Sequence, residues 1–444
     1  MTRVPPHTAS QRVKRPSLSA DCAAPARRFA GGSQPFAPML AWIARAAVIG
    51  LVVALAGCGT LLRNPVPPAL ASTASIPNMP DIRAWAGQPA PAMERDLADS
   101  FRQESRAEFP PDASGAIHYA HLSLSGGGAN GAFGAGFLNG WTTRGTRPVF
   151  KTVTGVSTGA LMAPFAFLGP SYDNALREFY TTTSTRDIFI VGSLFSLAAR
   201  ALSGEALADT GPLVALIEQH VDAELVRRVA EAHARGRRLY IGTVDLDAQR
   251  FVVWNMGLIA SSKRPEALDL FRQVMLASAS IPIAFPPVFF DVEADGRRFD
   301  EMHVDGGVGA RVFSVGGLFR ASYVRQRGGL GGADVREDIF VIHNGQLFSS
   351  PRPTRRTVLG IAMRVLDASS HSAVHGDLWR IYATTVNQRA GFHWVTIPDG
   401  TEIAGEETFD PAQMRALYDV GYRGALAGPV WETRPPGFLG EPAP

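Results

Sequence analysis

Cysteine is nearly missing from this chain: 444 residues hold two, Cys22 and Cys58, too few for a disulfide framework. No repeat of fixed period runs through the sequence, which excludes solenoids and propellers. An excess of charge of one sign is also lacking, with 43 basic against 40 acidic residues. Residues 1–48 hold seven basic groups and one acid, a local +6, which leaves −3 for the rest of a chain that totals +3. A mildly acidic body presents no general field for nucleic acid, and that partner is excluded. What is present is globular: 46% apolar residues give enough material for one large α/β domain with extra segments.

The front end reads as an address. From Met39 the sequence runs through Arg45 and the uncharged apolar stretch 46–56 to small residues before Cys58. This is the three-part form of a secretory signal, and the run is short for a spanning helix. An uncleaved anchor or a buried helix is the alternative, but Arg45 and the Pro-rich stretch after Cys58 argue against a core helix. Leu55-Ala56-Gly57-Cys58 resembles the lipobox of bacterial lipoproteins, which implies cleavage before Cys58 and lipidation of that residue. Gly59 rather than Asp after the cysteine goes, by the same resemblance, with the outer membrane of a bacterial cell envelope. Residues 1–57 are thus expected to be leader and signal, with 1–38 an upstream start-site artefact and Met39 the start. Residues 58–116, containing "RNPVPPALASTASIPNMP", are expected to be a Pro/Ala-rich tether, with one helix near Met93–Glu108 packed on the body.

From there apolar runs alternate between strand and helix spacing. Ile117–Ser125 and Val149–Thr154 read as strands, and Gly131–Thr142 and Thr158–Leu168 as the helices that follow them. "RRLYIGTVDL" and "DIFVIHNG" add strands; "GPLVALIEQHV", "PEALDLFRQVMLAS" and "PAQMRALYDVGYRGAL" add helices, the last opened by Asp410-Pro411. The pattern predicts an α/β fold, a mainly parallel central sheet between two helical layers, with ligands at the carboxyl ends of strands.

Three motifs carry chemistry. "HLSLSGGGANGAFGAG" places Gly126, Gly127, Gly128 and Gly131 between a strand and a helix, where backbone N–H groups can surround an anion. The spacing satisfies a dinucleotide fingerprint, but the following strand, "VFKTVTGVSTG", has no carboxylate to hold a ribose. That strand instead ends in Gly155-Val156-Ser157-Thr158-Gly159, the G-x-S-x-G of a nucleophile elbow in the strand–turn–helix setting it requires. Ser157 and the Gly126–Gly128 amides would then converge on one developing oxyanion. The third motif, Asp305-Gly306-Gly307, is by itself a common turn signal, yet it offers a carboxylate that can serve as base to a hydroxyl.

In that order, over roughly Ile117 to Trp431, the motifs and "ASASIPIAFPPV" (residues 277–288) resemble the patatin-like phospholipase family. The resemblance implies a three-layer hydrolase domain, here 117–432 with a C-terminal tail 433–444. It implies a lipid acyl hydrolase (phospholipase A or lysophospholipase in kind) with Ser157 as nucleophile, Asp305 as base and Gly126, Gly127 and Gly128 as oxyanion hole. Gly131, Gly155, Gly159, Gly306 and Gly307 support those motifs, and neither metal nor organic cofactor is implied. One position departs: Asn130 stands where the family usually carries Arg or Lys.

Two rivals remain at this stage. A conventional α/β-hydrolase would add a histidine after the acid, and His343, His371, His375 and His393 all follow Asp305. A catalytically inactive lipid-binding lipoprotein would keep the fold alone. Asp187–Gly204, apolar with few charges, is expected to be a buried helix of the body, with a lid or a bilayer-dipping segment as the alternative. Asp245 and Asp247 form an acidic pair expected at an exposed strand-end turn rather than on a metal.

Overall fold

The computed structural model describes residues 63–191, 206, 208–317, 329, 334–348, 351, 353–403 and 409–438. Cys58, the signal stretch before it and residues 192–204 of the apolar segment Asp187–Gly204 lie outside that set. Among the described residues no helix is long and apolar enough to cross a membrane.

The strands are β1 (Arg83–Trp85), β2 (Ile117–Leu124), β3 (Phe150–Val156), β4 (Ile190–Val191), β5 (Ala208–Asp209), β6 (Arg238–Asp245), β7 (Arg250–Asn255), β8 (Val288–Ala294), β9 (Arg297–Asp305), β10 (Val335–His343) and β11 (Gly391–Thr396). All but β4 and β5 join one sheet in the order β1-β7-β6-β3-β2-β10-β11, with β9 paired to β6 and β8. The run from β6 to β11 is parallel, and β1, β7, β8 and β9 attach antiparallel. The central β3 and β6 are buried along their whole length, as strands covered on both faces must be.

Period-two alternation assigns side chains to the two layers. Leu122, Leu124, Leu239 and Ile241 face the helices Gly131–Arg144, Thr158–Leu168 and Pro411–Ala427, whereas Tyr119, Val156 and Tyr240 pack on the opposite face with Met93 and Leu97. Ile339 and Val341 extend that second face under the helix Val358–Gln388. Helices Gly131–Arg144 and Pro411–Ala427 touch backbone to backbone: a Cβ on Gly136 would land on the Tyr418 carbonyl, and one on Gly421 on the Phe133 carbonyl.

Residues 63–116 correct the expectation of a loose tether. Arg63 pairs with Asp247 at 2.5 Å and Asp300 at 2.6 Å, Ser75 bridges Glu293, and β1 extends the sheet beside β7. Ile76, Met79 and Ile82 enter the core, and helix Pro91–Gln103 buries Met93, Leu97, Ala98 and Phe101. The prolines do not prevent this, because Pro91 sits in the first helical turn, where no N–H is needed. Nor does the chain loosen at 433: Trp394 Nε1 donates to the Arg434 carbonyl and Phe438 stacks on Trp379.

Candidate active site

The edge of β6 brings two distant segments together. β3 runs parallel along it and stops with Val156 opposite Gly242; the next residue of β6, Thr243, is opposite Asp305, the last residue of antiparallel β9. Two strands therefore abut on one edge, and Ser157 and Asp305 stand at the junction. The Ser157 hydroxyl lies close enough to the Asp305 carboxylate to lower its proton affinity, and both residues are buried.

Ser157 occupies the tight turn expected between β3 and the helix Thr158–Leu168. Its φ is +56°, in the left-handed region that costs a side-chain-bearing residue about 1–2 kcal/mol. Its N–H donates to Ser278 Oγ at 3.0 Å, and that hydroxyl donates to the Gly242 carbonyl at 2.7 Å, tying the turn to β6. Close approach fixes the flanking glycines: a Cβ on Gly155 would strike the Gly159 backbone, and one on Gly159 the carbonyl of Leu124. Gly131 is likewise pressed on Thr158 and Tyr180, and Gly306 on the Gly242 carbonyl.

Asp305 accepts the Gly307 N–H at 2.6 Å, and its own N–H donates to the Ser280 carbonyl. Burial pushes its carboxyl above the usual carboxylate range; the positive charge of Arg311, then the neighbouring Ser157 hydroxyl and the Gly307 N–H, pull the other way. The result is a carboxylate of raised proton affinity against a hydroxyl, the arrangement a base needs.

The glycine loop differs from the expected set in one member. Gly126 donates its N–H to the Arg311 carbonyl at 3.0 Å, so that amide is already committed, while its Cα lies against Ser157. The N–H groups of Gly127 and Gly128 have no partner among the described residues. Gly128, at φ +57°, borders a partly open pocket together with Ser157. Its walls are mainly apolar, among them Leu161, Phe179, Ile188, Leu213, Phe285 and Met414. Ile188 belongs to the described start of the apolar segment Asp187–Gly204, where Phe189 packs on Phe285 and Phe409.

Among the described residues no histidine contacts Ser157 or Asp305. His343 is buried against Ser125 Oγ at 3.0 Å, and burial with Arg311 nearby holds it down to about 3. His393 bonds Asp338 at 2.9 Å and stacks on Phe340, while His371 and His375 sit on the helix Val358–Gln388. Asp245, expected at an exposed turn, is instead buried and accepts the amides of Asp247 and Ala248. It groups with Glu301 and His303 within 4.8 Å, but Glu301 already pairs with buried Arg83, whose charge occupies the place a cation would take. Ser278 lies in the 277–288 stretch that carries part of the resemblance, but its contact with the elbow is supplied by the fold, and Arg311 carries no motif.

The patatin-like phospholipase family model matches residues 122–313. No curated protein matches the chain. Similar solved structures include VipD from Legionella pneumophila, 13% identical over 72% of this chain and 69% of that one, TM-score 0.34. Human GIVD cytosolic phospholipase A2 is 12% identical over 65% and 51%, TM-score 0.30. The Pseudomonas aeruginosa complex of SpcU with ExoU, from a type III secretion system, is 14% identical over 72% and 52%, TM-score 0.21. This chain thus spans about half the length of the last two. The segment matched by the patatin-like phospholipase model, residues 122–313, holds the glycine loop, the elbow and the Asp-Gly-Gly turn.

Proposed function

We propose that this protein is a lipid acyl hydrolase that cleaves carboxylic esters through Ser157 and Asp305. The observation that carries the reading is the placement of those two buried residues at one junction on the edge of β6, beside two loop amides without a partner among the described residues. The Ser157 hydroxyl attacks the ester carbonyl carbon while its proton passes to the Asp305 carboxylate. The oxyanion of the tetrahedral intermediate is held by the Gly127 and Gly128 N–H groups. Collapse breaks the ester C–O bond, and the leaving alcohol takes the proton from Asp305, which leaves an acyl group on Ser157. Asp305 then accepts a proton from water as that water attacks the acyl carbon; fatty acid departs and Ser157 recovers its hydrogen. The apolar pocket beside Ser157 and Gly128 suits the acyl chain.

Losing an acid–base group typically costs about 10²–10⁴-fold. S157A and D305N are therefore expected to abolish fatty-acid release from phospholipid and nitrophenyl-ester substrates by product analysis. Full turnover by S157A would refute the reading, and absence of turnover in the wild type as well as in S157A would favour a non-catalytic lipid-binding protein. The histidine contacts favour the dyad over a triad, so substituting His343, His371, His375 or His393 singly is not expected to remove the activity.

The same proposal includes anchoring through a lipidated Cys58 at the outer membrane. Mass spectrometry of the mature N-terminus tests it; an unmodified cysteine or an uncleaved leader refutes it. Attachment by several acyl chains would be stable where one chain is marginal.

A further inference from the structure

We propose that residues 63–85 are a strap that positions the base: they hold the hairpin of β8 and β9 on the sheet so that Asp305 meets Ser157, and Arg83 is the positioning residue through which that hold reaches the site. The inference rests on the dyad reading above and goes beyond it by naming what sets the dyad's geometry. The strap precedes the segment 122–313 matched by the family model.

The sheet alone holds the base by a short seam. β9 is nine residues long, yet its ladder with β6 comprises three pairs, with Asp305, Val304 and His303 opposite Thr243, Val244 and Asp245. Ahead of His303 the strand pairs with β8, and β8 pairs with no further strand among the described residues. A two-stranded ribbon by itself is barely stable in water. Residues 63–85 supply the missing partners. Asn64 and Pro65 run beside β9, where the Asp300 N–H donates to the Asn64 carbonyl at 2.8 Å and Asn64 Nδ2 donates to the Arg298 carbonyl at 2.7 Å. Arg63 ties Asp300 to Asp247, in the turn that follows β6. Ser75 exchanges both backbone hydrogen bonds with Glu293 of β8, at 3.0 and 2.8 Å. One segment thus grips both strands of the hairpin, and β1 fixes that segment to β7.

Arg83 carries the grip inward. Its guanidinium forks onto the Glu301 carboxylate, with both side chains buried, and donates to the Ala74 carbonyl at 3.2 Å, which closes the strap on itself. An ionised Glu301 can only accept, so His303 Nε2, at 3.2 Å, carries the hydrogen. Burial keeps the ring neutral. Its Nδ1 therefore accepts the Thr243 hydroxyl at 2.9 Å, and Thr243 Oγ1 accepts the Trp254 Nε1–H at 2.8 Å. Thr243 is the residue of β6 opposite Asp305, and Glu301, His303 and Asp305 are alternate residues on one face of β9. The path from strap to base is a continuous chain of buried hydrogen bonds.

The test is steady-state hydrolysis of a water-soluble nitrophenyl ester by the full chain, beside thermal unfolding, with R83M/E301M. Replacing a buried ion pair by apolar side chains of similar volume is often neutral for stability, so the fold is kept while the link to His303 is cut. A displacement of about 1 Å at a reacting group costs up to about 10²-fold, so kcat should fall roughly 10- to 100-fold while KM and the melting temperature hold. R83K, which keeps a cation on Glu301, should restore most of kcat. The matching change R147M/D173M, at an ion pair beside the start of β3, should leave kcat as it is. An unchanged kcat in R83M/E301M overturns the proposal, and so does an equal loss in R147M/D173M, which would mean general loosening. If R83M/E301M does not fold, R63A at the outer end of the strap takes its place, and kcat must again fall at constant KM. D305N separates the two levels. Wild-type turnover by D305N removes the dyad reading, whereas an inactive D305N beside a fully active R83M/E301M removes the strap alone.

Discussion

Ser278 is the sharpest place to probe how the elbow is held. It is fully buried at the end of helix Ala267–Ser278, accepts the Ser157 N–H and donates to the Gly242 carbonyl. S278A orphans the Ser157 N–H and removes one bond from a carbonyl that remains in the sheet. An unsatisfied buried donor costs about 1–3 kcal/mol, and the lost carbonyl bond about 1 more, for roughly 2–4 kcal/mol in all. At about 2 °C per kcal/mol for a domain of this size, the midpoint of thermal unfolding should fall by roughly 4–8 °C. With its tether gone, Ser157 can relax from its left-handed backbone, and a displacement of about 1 Å at a reacting atom costs up to about 10²-fold in rate. The assay is differential scanning fluorimetry beside steady-state ester hydrolysis, with S280A as control. Ser280 donates only to Leu276 one turn back, and its carbonyl still accepts the Asp305 N–H after substitution. The reasoning fails if S278A matches S280A in both melting and kcat.

D305N should remove activity yet raise the melting temperature at neutral pH. Burial raises the folded carboxyl above its unfolded value, so the folded state binds more protons between the two, and stability falls as pH climbs through that window. The amide escapes that penalty and still accepts the Gly307 N–H; a lower melting temperature contradicts this account. By the same shift, the acid limb of the wild-type kcat/KM profile should lie above the usual carboxylate range, and a limb at ordinary carboxylate pH counts against Asp305 as base. G127A should fail to fold or lose activity wholly, because its Cβ would meet the Asn344 backbone, whereas G128A faces open space and pays only the left-handed backbone, about 1–2 kcal/mol; equal melting of the two would be inconsistent with the loop geometry. M414W should shift chain-length preference toward shorter acyl groups, since each enclosed methylene is worth about 0.8 kcal/mol, near fourfold in kcat/KM; an unchanged profile across nitrophenyl esters would remove the acyl chain from this pocket.

Much of this architecture was legible in the residues, because the signals were local. Ser157 and Gly126–Gly128 each lie within a few positions of a strand end and a helix start, so spacing alone located both turns. The alternating apolar runs likewise gave the parallel centre of the sheet. Contacts made by distant segments left no such trace. The 277–288 stretch stood out as a whole, yet nothing in it shows that Ser278 steadies the elbow, and nothing near Arg311 shows that it neighbours the serine. The Gly126 amide looked free in sequence and is taken by the Arg311 carbonyl from 185 positions downstream. Residues 63–116 misled for a related reason: their prolines suggest an open tether, while Ile76, Met79 and Ile82 are too few to show periodicity and gain meaning only against β7 and β8.

The meeting of two strands on one flank of β6 has a consequence for when hydrolysis becomes possible. On the proposed chemistry, a growing polypeptide that has completed residues 117–250 already owns its serine turn but has nothing to withdraw the proton. Competence arrives only when the hairpin of β8 and β9 docks and slides Asp305 into the gap beyond Val156. Half-made or half-unfolded molecules are therefore harmless to the lipids around them, because the fold itself is the safety catch.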